Sequence, residues 1–288
     1  MARVFWSDSG RQEVHAAYRA ILRDWPVAHE ELRLPTRQGE TFVVASGLPD
    51  APPLVLLHGG LTTSAMWTRN VPTWSKEFRV FAVDLIGEAG LSAPARPSLG
   101  SEAYAFWLDD VWRELGLRQA ALVGASLGGL LALDFAIRRP KKVASLVLLA
   151  PGGVGRVRPG FLLKVAPLLF LGAWGHRKAH ALDMGFDARE QATPAGQTFS
   201  KFFALVQRHY VNRMTPLPTF SDEQLRTLRI PLLAIVGGRD ALLDSDETRH
   251  RLETLVPSAR VAYLAAAGHG LIDTTDLVVE FLRTCRTV

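Results

Sequence analysis

The stretch "LVGASLGG" (residues 122–129) decides the fold. Before it, "AA" extends the apolar run back to residue 120, and after Ser126 comes "LGGLLALDFAIRR" (127–139). The first run is short and apolar, as a buried strand would be. The second has helical length and is apolar almost all round, which reads as a helix buried on most of its surface. Gly124 and Gly128 flank Ser126 two positions to either side. Two readings are open. Ser126 can be a nucleophile on a strained strand-to-helix turn, where small flanking residues let strand and helix approach closely. Its oxygen would then lie at the positive end of the helix, where an oxyanion is stabilised. Alternatively it is a helix N-cap serine. With 24 glycines the chain can spell GxSxG by accident, so the rest of the sequence must decide.

Working outward, the same rhythm recurs. "PLVLLHGG" (53–60), "FRVFAVDL" (78–85), "VASLVLLAP" (143–151), "PLLAIVGG" (231–238) and "RVAYLAAAG" (260–268) are apolar runs without strict alternation. That is how strands buried on both faces of a parallel sheet read. Segments of helical period separate them, at 102–115 and 245–256, with a short helical turn at 223–228. Residues 30–47 hold two strand-like runs around the turn signal Arg37-Gln38-Gly39, and a mostly polar helix is expected at about 8–24, before Pro26. Alternating strands and helices imply right-handed crossovers and a doubly wound α/β sheet. The rhythm breaks once. Residues 152–225 contain no convincing sheet strand but carry two helical stretches, 161–174 and 198–214. A structureless loop of that length would be unusual, so this segment reads as a helical cap inserted into a core formed by 1–151 and 226–288. The run at 161–174 could instead lie in a membrane interface, although Lys164 and Pro167 interrupt it.

Bulk properties exclude several classes. The 288 residues are 48% hydrophobic and 21% charged, a globular balance with ample length for a large core. The single cysteine, Cys285, cannot close an internal disulfide. No long apolar leader and no stretch of about 20 apolar residues is present, so a cytoplasmic protein without stable membrane insertion is expected. The net charge of +5 is spread out, and the tightest cluster (Arg138, Arg139, Lys141, Lys142) falls at a helix end, where cations complement the dipole. It reads as a solvated helix end rather than a nucleic-acid site. His176 and His180 lack the acidic partner of a zinc-binding helix, and neither a dinucleotide fingerprint nor a phosphate-binding loop is found, so no metal and no cofactor are expected.

A serine needs a base, and the base an orienting acid. Of eight histidines only His269 follows the last apolar run, in the glycine-bracketed loop "AAAGHGL". "LLAIVGGRD" places Asp240 just past a strand end, whereas Asp244 and Asp246 read as charges at the start of the next helix. The loop after 143–151 offers no carboxylate. An oxyanion needs two donors. Leu127 N–H would be one, and the glycines of "HGG" (58–60) allow Gly60 N–H to be the other. His58 reads as a structural hydrogen-bonding residue behind that loop. Trp67 and Phe106 can line a pocket or fill the core, and core is the commoner fate.

With "HGG", "GASLG", "GGRD" and "AGHG" in this order at the expected strand ends, the chain resembles the α/β-hydrolase superfamily from about residue 30 onward. The resemblance implies an eight-stranded, mostly parallel sheet with a helical cap after the sixth strand. It also implies a triad of Ser126, Asp240 and His269. One departure stands out: "DLIGEAGLS" (84–92) is one residue longer than the D-x-x-G-x-G-x-S of many members. It resembles a carboxylesterase-like branch with an acidic residue, here Glu88, after the glycine. Glu88 borders the pocket side, while Asp84 reads as a structural acceptor. A serine nucleophile points to acyl chemistry. The expected activity is hydrolysis of a small to medium apolar carboxylic ester through an acyl-enzyme. The alternatives are a carbon–carbon hydrolase of ring-cleavage products, using arginines such as Arg156, Arg158 or Arg177, and a ligand-binding protein that keeps the triad with little turnover. Monomer and homodimer remain equally open.

Overall fold

The computed structural model describes residues 3–158, 160–161, 167–168, 171, 193–213, 215–271 and 274–285. Eight strands form one sheet: β1 His29–Leu34, β2 Thr41–Ser46, β3 Pro53–Leu57, β4 Arg79–Val83, β5 Ala120–Ala125, β6 Val143–Leu149, β7 Leu232–Gly237 and β8 Ala259–Leu264. Their order is β1-β2-β4-β3-β5-β6-β7-β8. The hairpin β1–β2 is antiparallel and β2 pairs antiparallel with β4, while β4, β3 and β5 to β8 run parallel.

Buried strands without alternation have a direct cause, because both faces are covered. Along β2 and β3, Val43, Ala45, Val55 and Leu57 belong to one buried cluster with helices α3 (Ala103–Glu114), α4 (Leu127–Arg138) and α7 (Ser245–Leu255). Phe42, Val44, Leu54 and Leu56 belong to the other, with α1 (Asp8–Arg23), α8 (Thr275–Thr284) and the 3-10 helix Ser64–Arg69. A period of two thus divides these strands between two apolar layers. Short helices α2 (Val71–Trp74) and α6 (Asp222–Leu225) complete the frame.

Between β6 and β7 the described residues include α5 (Pro194–His209). It begins earlier than the apolar pattern of 198–214 implied, because Thr193 caps Gly196 N–H and Pro194 starts the first turn. It ends earlier because Tyr210 leaves the helix to bridge Phe5. Val211 N–H and Trp6 N–H then bond the carbonyls of Val4 and His209, so the N-terminal segment clasps the end of α5. Most of the predicted helix at 161–174, together with His176, Arg177 and His180, lies outside the described residues.

Two surface expectations change in detail. Three of the four residues in the basic cluster are matched by carboxylates: Arg138 pairs with Asp134 and Glu102, and Arg139 and Lys142 share Asp109. Phe106 is neither core nor pocket. It is 37% exposed, with the Arg37 and Arg139 guanidinium groups 5.1 and 5.4 Å from its ring. No helix among the described residues is long and apolar enough to cross a membrane.

Asp84 joins three parts of this frame. Its carboxylate accepts from Tyr18 Oη of α1 (2.9 Å), Ser64 N–H (2.9 Å) and Leu91 N–H (2.8 Å). Asp84→Ala would leave buried donors unpaired at about 1–3 kcal/mol each. We expect the urea unfolding midpoint to fall by an amount equivalent to at least about 3 kcal/mol, with unfolding still cooperative.

Candidate active site

The turn after β5 is built by close backbone contact. A Cβ on Gly128 would lie 2.2 Å from the Leu57 carbonyl oxygen, and one on Gly124 would lie 2.4 Å from the Gly128 carbonyl oxygen. Only glycine allows β3, β5 and α4 to meet this closely. Ser126, between them, adopts φ 49° and ψ −108°, outside the ordinary regions for a side-chain-bearing residue. Its N–H is held by the Leu149 carbonyl (2.9 Å), and its own carbonyl accepts from Leu130 and Gly152. Although Ser126 occupies the N-cap position of α4, its hydroxyl makes no capping hydrogen bond. The hydroxyl instead lies 3.0 Å from His269 Nε2.

His269 and Asp240 come from neighbouring loops that are stitched together. Gly238 N–H and Arg239 N–H donate to the carbonyls of Leu264 and Ala267. A Cβ on Gly237 would lie 2.4 Å from the Gly268 carbonyl oxygen, so a glycine is required where the histidine loop crosses β7. His269 Nδ1 is 2.8 Å from Asp240 Oδ2, and Asp240 Oδ1 accepts from Leu242 and Leu243 N–H at 2.8 Å each. The Asp240 side chain is 1% exposed and that of His269 6%. The carboxylate is therefore fixed on both oxygens and the ring on both nitrogens. Asp244 takes the other role, accepting from Glu247 N–H as the N-cap of α7.

The loop after β3 lies beside this turn. Ideal Cβ atoms on Gly59 and Gly60 would each fall 3.7 Å from Ser126 Cβ and Leu127 Cδ2 respectively. His58 is fully buried. Leu85 N–H donates to its Nε2 (2.9 Å), which leaves Nδ1 to donate to the Gly59 carbonyl (2.7 Å). The C=O and N–H of a trans peptide point in opposite directions, so binding the Gly59 carbonyl turns Gly60 N–H to the other side. Leu127 is the first residue of α4, whose N–H has no partner within the helix.

These elements border a cavity of about 1070 Å³. Trp67, Leu149, Phe203 and Leu217 give it apolar walls, and Phe199 and Ser200 of α5 contribute from the insertion. Trp67 is both 1% exposed and a wall residue, so core and pocket coincide there. Arg156 borders the cavity but pairs with Glu247, and Arg158 donates to the Leu243 carbonyl. Sequence reasoning missed Tyr210 and Arg213, which meet Glu88 at one wall. Isolated within a segment read as helix, neither carried a signal of its own. Burial pushes the nearby Tyr104 phenol up to about 12, and it accepts from Arg213 at 2.6 Å. Among the described residues no group of His, Cys, Asp and Glu could hold a metal.

The family model for the alpha/beta hydrolase fold matches residues 52–275. The carboxylesterase YbfK of Bacillus subtilis is 33% identical over 269 residues, covering 88% of this chain and 86% of the relative. The crystal structure of naproxen esterase (carboxylesterase NP) from Bacillus subtilis superposes with a TM-score of 0.82 at 31% identity, over 98% of each chain. A 2-hydroxy-6-oxo-2,4-heptadienoate hydrolase of Pseudomonas putida is 29% identical over 239 residues, covering 75% of this chain and 82% of the relative.

Burial holds the His58 imidazole below its usual value of 6.5, so it stays neutral in the fold. The unfolded chain takes up a proton there as pH falls through about 6.5. The unfolded state therefore binds the extra proton, and stability from this source is complete above that pH and declines below it. His15, also held low by burial, acts in the same direction. We expect the urea midpoint to drop between pH 7 and pH 5, and His58→Gln to remove part of that slope.

Proposed function

Because this chain belongs to the α/β-hydrolase fold family, we propose that it hydrolyses carboxylic esters through an acyl-enzyme on Ser126. What carries the reading is one unbroken relay: Ser126 Oγ at 3.0 Å from His269 Nε2, and His269 Nδ1 at 2.8 Å from Asp240. Ser126 Oγ attacks the ester carbonyl while His269 Nε2 takes its proton. The backbone N–H groups of Gly60 and Leu127 hold the oxyanion that forms. His269 returns the proton to the alcohol as the carbon–oxygen bond breaks. Water, activated by the same imidazole, then attacks the acyl-enzyme, and the carboxylic acid leaves. Asp240 keeps the ring in the tautomer that leaves Nε2 free to accept, and stabilises the imidazolium.

In this reading residues 152–225 act as a cap that shapes the substrate site. Apolar walls favour an apolar acyl group, and the cavity is large enough for an aromatic one, in keeping with the naproxen esterase of Bacillus subtilis. The carbon–carbon reading would use the same three side chains. Two of the three arginines considered for an acidic substrate already have protein partners, which weighs against it.

The test is a panel of nitrophenyl esters of increasing acyl size together with fluorophosphonate labelling. We expect turnover by the wild type, loss of at least about 10³-fold in kcat in Ser126→Ala and His269→Ala, and no labelling of Ser126→Ala. Hydrolysis at equal rates by all three proteins would sink the ester-hydrolase reading. Labelling at Ser126 with negligible turnover of every ester would favour the ligand-binding alternative.

A further inference from the structure

Glu88, in the loop that runs one residue longer than the common pattern, is only 2% exposed. A buried carboxylate is costly unless its oxygens are well met. Here they collect three donors from two distant parts of the chain. Leu61 N–H reaches Oε2 at 3.2 Å, Tyr210 Oη–H donates to the same oxygen, and Arg213 Nε–H reaches Oε1 at 2.9 Å. Burial first, then the charge of Glu88, keeps the Tyr210 phenol well above its usual value, so it remains a donor.

The first donor links Glu88 to the chemistry. Leu61 has φ 61°, a left-handed conformation that is unfavourable for a leucine. It follows Gly60 directly. The amide before Gly60, that of Gly59, donates to Met66 Sδ at 3.3 Å, and the amide after it donates to Glu88. Gly60 N–H therefore sits between two anchored amides, in a peptide unit that His58 also holds through the Gly59 carbonyl. The other two donors, Tyr210 and Arg213, lie just beyond α5, where the insertion returns toward the core. Without them Glu88 would be a buried charge with a single neutral donor and would not keep its place.

Resting on the ester-hydrolase reading, we propose that Glu88 is a positioning residue for the oxyanion hole. It holds the Leu61 amide, and through it the Gly60 N–H, and it does so only while Tyr210 and Arg213 are docked. Seating of the insertion's return segment and assembly of the second oxyanion donor are then a single event.

A thionoester distinguishes this role from general support of the fold. Sulfur is a weak hydrogen-bond acceptor, so a misplaced oxyanion donor slows an oxygen ester more than its thiono analogue. We would measure kcat and KM for an aryl ester and its thionoester with the wild type, Glu88→Ala, Glu88→Gln and Arg213→Gln. For Glu88→Ala we expect kcat on the oxygen ester to fall about 10- to 100-fold, up to what loss of one donor costs elsewhere. KM should change less than about threefold, and the thionoester should be slowed far less. Glu88→Gln should recover part of the rate, since an amide oxygen can still accept from Leu61. Arg213→Gln should show the same oxygen-over-sulfur signature, and it carries the test if Glu88→Ala does not fold. Unchanged kcat in the folded variants, or equal slowing of both substrates, would overturn the proposal. Failure of the ester-hydrolase reading would appear separately, as wild-type activity surviving Ser126→Ala.

Discussion

The arrangement depends on backbone meeting backbone at the end of β5. Gly124, Gly128 and the carbonyls of Leu57 and His58 come so close that no Cβ fits between them. This contact brings the first turn of α4 up against the end of β3. Ser126 must then turn through a φ of 49°, and strand, helix and loop around it supply the restoring contacts: Leu149 of β6 holds its N–H, and Leu130 of α4 and Gly152 bind its carbonyl. The strain is local, but what it secures is a hydroxyl lifted off the strand end beside the unpaired amides of a helix. Loosening the contact would drop the serine back into ordinary capping geometry, where its oxygen would serve α4 rather than His269.

The supports around the hydroxyl share one character. Each chemical group is held by a partner that itself makes or breaks no bond. His269 is fixed by Asp240, which is fixed by the Leu242 and Leu243 amides. Gly60 is oriented from one side by His58, through the Gly59 carbonyl, and on the other side the next amide is held by Glu88. His58 can do this because burial keeps it neutral, with one nitrogen accepting from Leu85 and the other donating. Such outer contacts remove freedom before substrate arrives, which is how preorganised dipoles gain over water.

Much of this was legible in the sequence, for reasons that differ by element. The inner strands were legible because both their faces are buried, which leaves near-continuous apolar runs and glycine-rich ends. Gly124, Ser126 and Gly128 were legible because close approach restricts residue choice to a few types. Asp240 and His269 stood out because each follows a strand end, His269 as the one histidine after the last apolar run and Asp240 because the nearby Asp244 and Asp246 read as helix-start charges. The oxygen-bearing partners that meet across long sequence separations were not legible. Tyr210 and Arg213 reach Glu88 across more than 120 residues. Their pairing depends on how the insertion returns to the core, which no local period encodes. Phe106 misled for the opposite reason: a helical stripe marked it as interior, while two guanidinium groups cover it at the surface.

The conflicts between local preference and observed conformation are themselves informative. Among the described residues, three without the excuse of being glycine have positive φ: Leu61, Ser126 and Ala150. They follow β3, β5 and β6, three adjacent strands, at the edge from which the cavity opens. Consistent sequences place such strain where function demands it and compensate nearby. Each has its compensation in view: Leu61 in Glu88, Ser126 in Leu149, and Ala150 in the Ile235 carbonyl of β7. The last two are ordinary sheet partners that any chain of this topology would supply. The first is a buried carboxylate held by groups from the insertion. It is therefore the one point along this edge where backbone strain beside the reacting centre is balanced from outside the sheet.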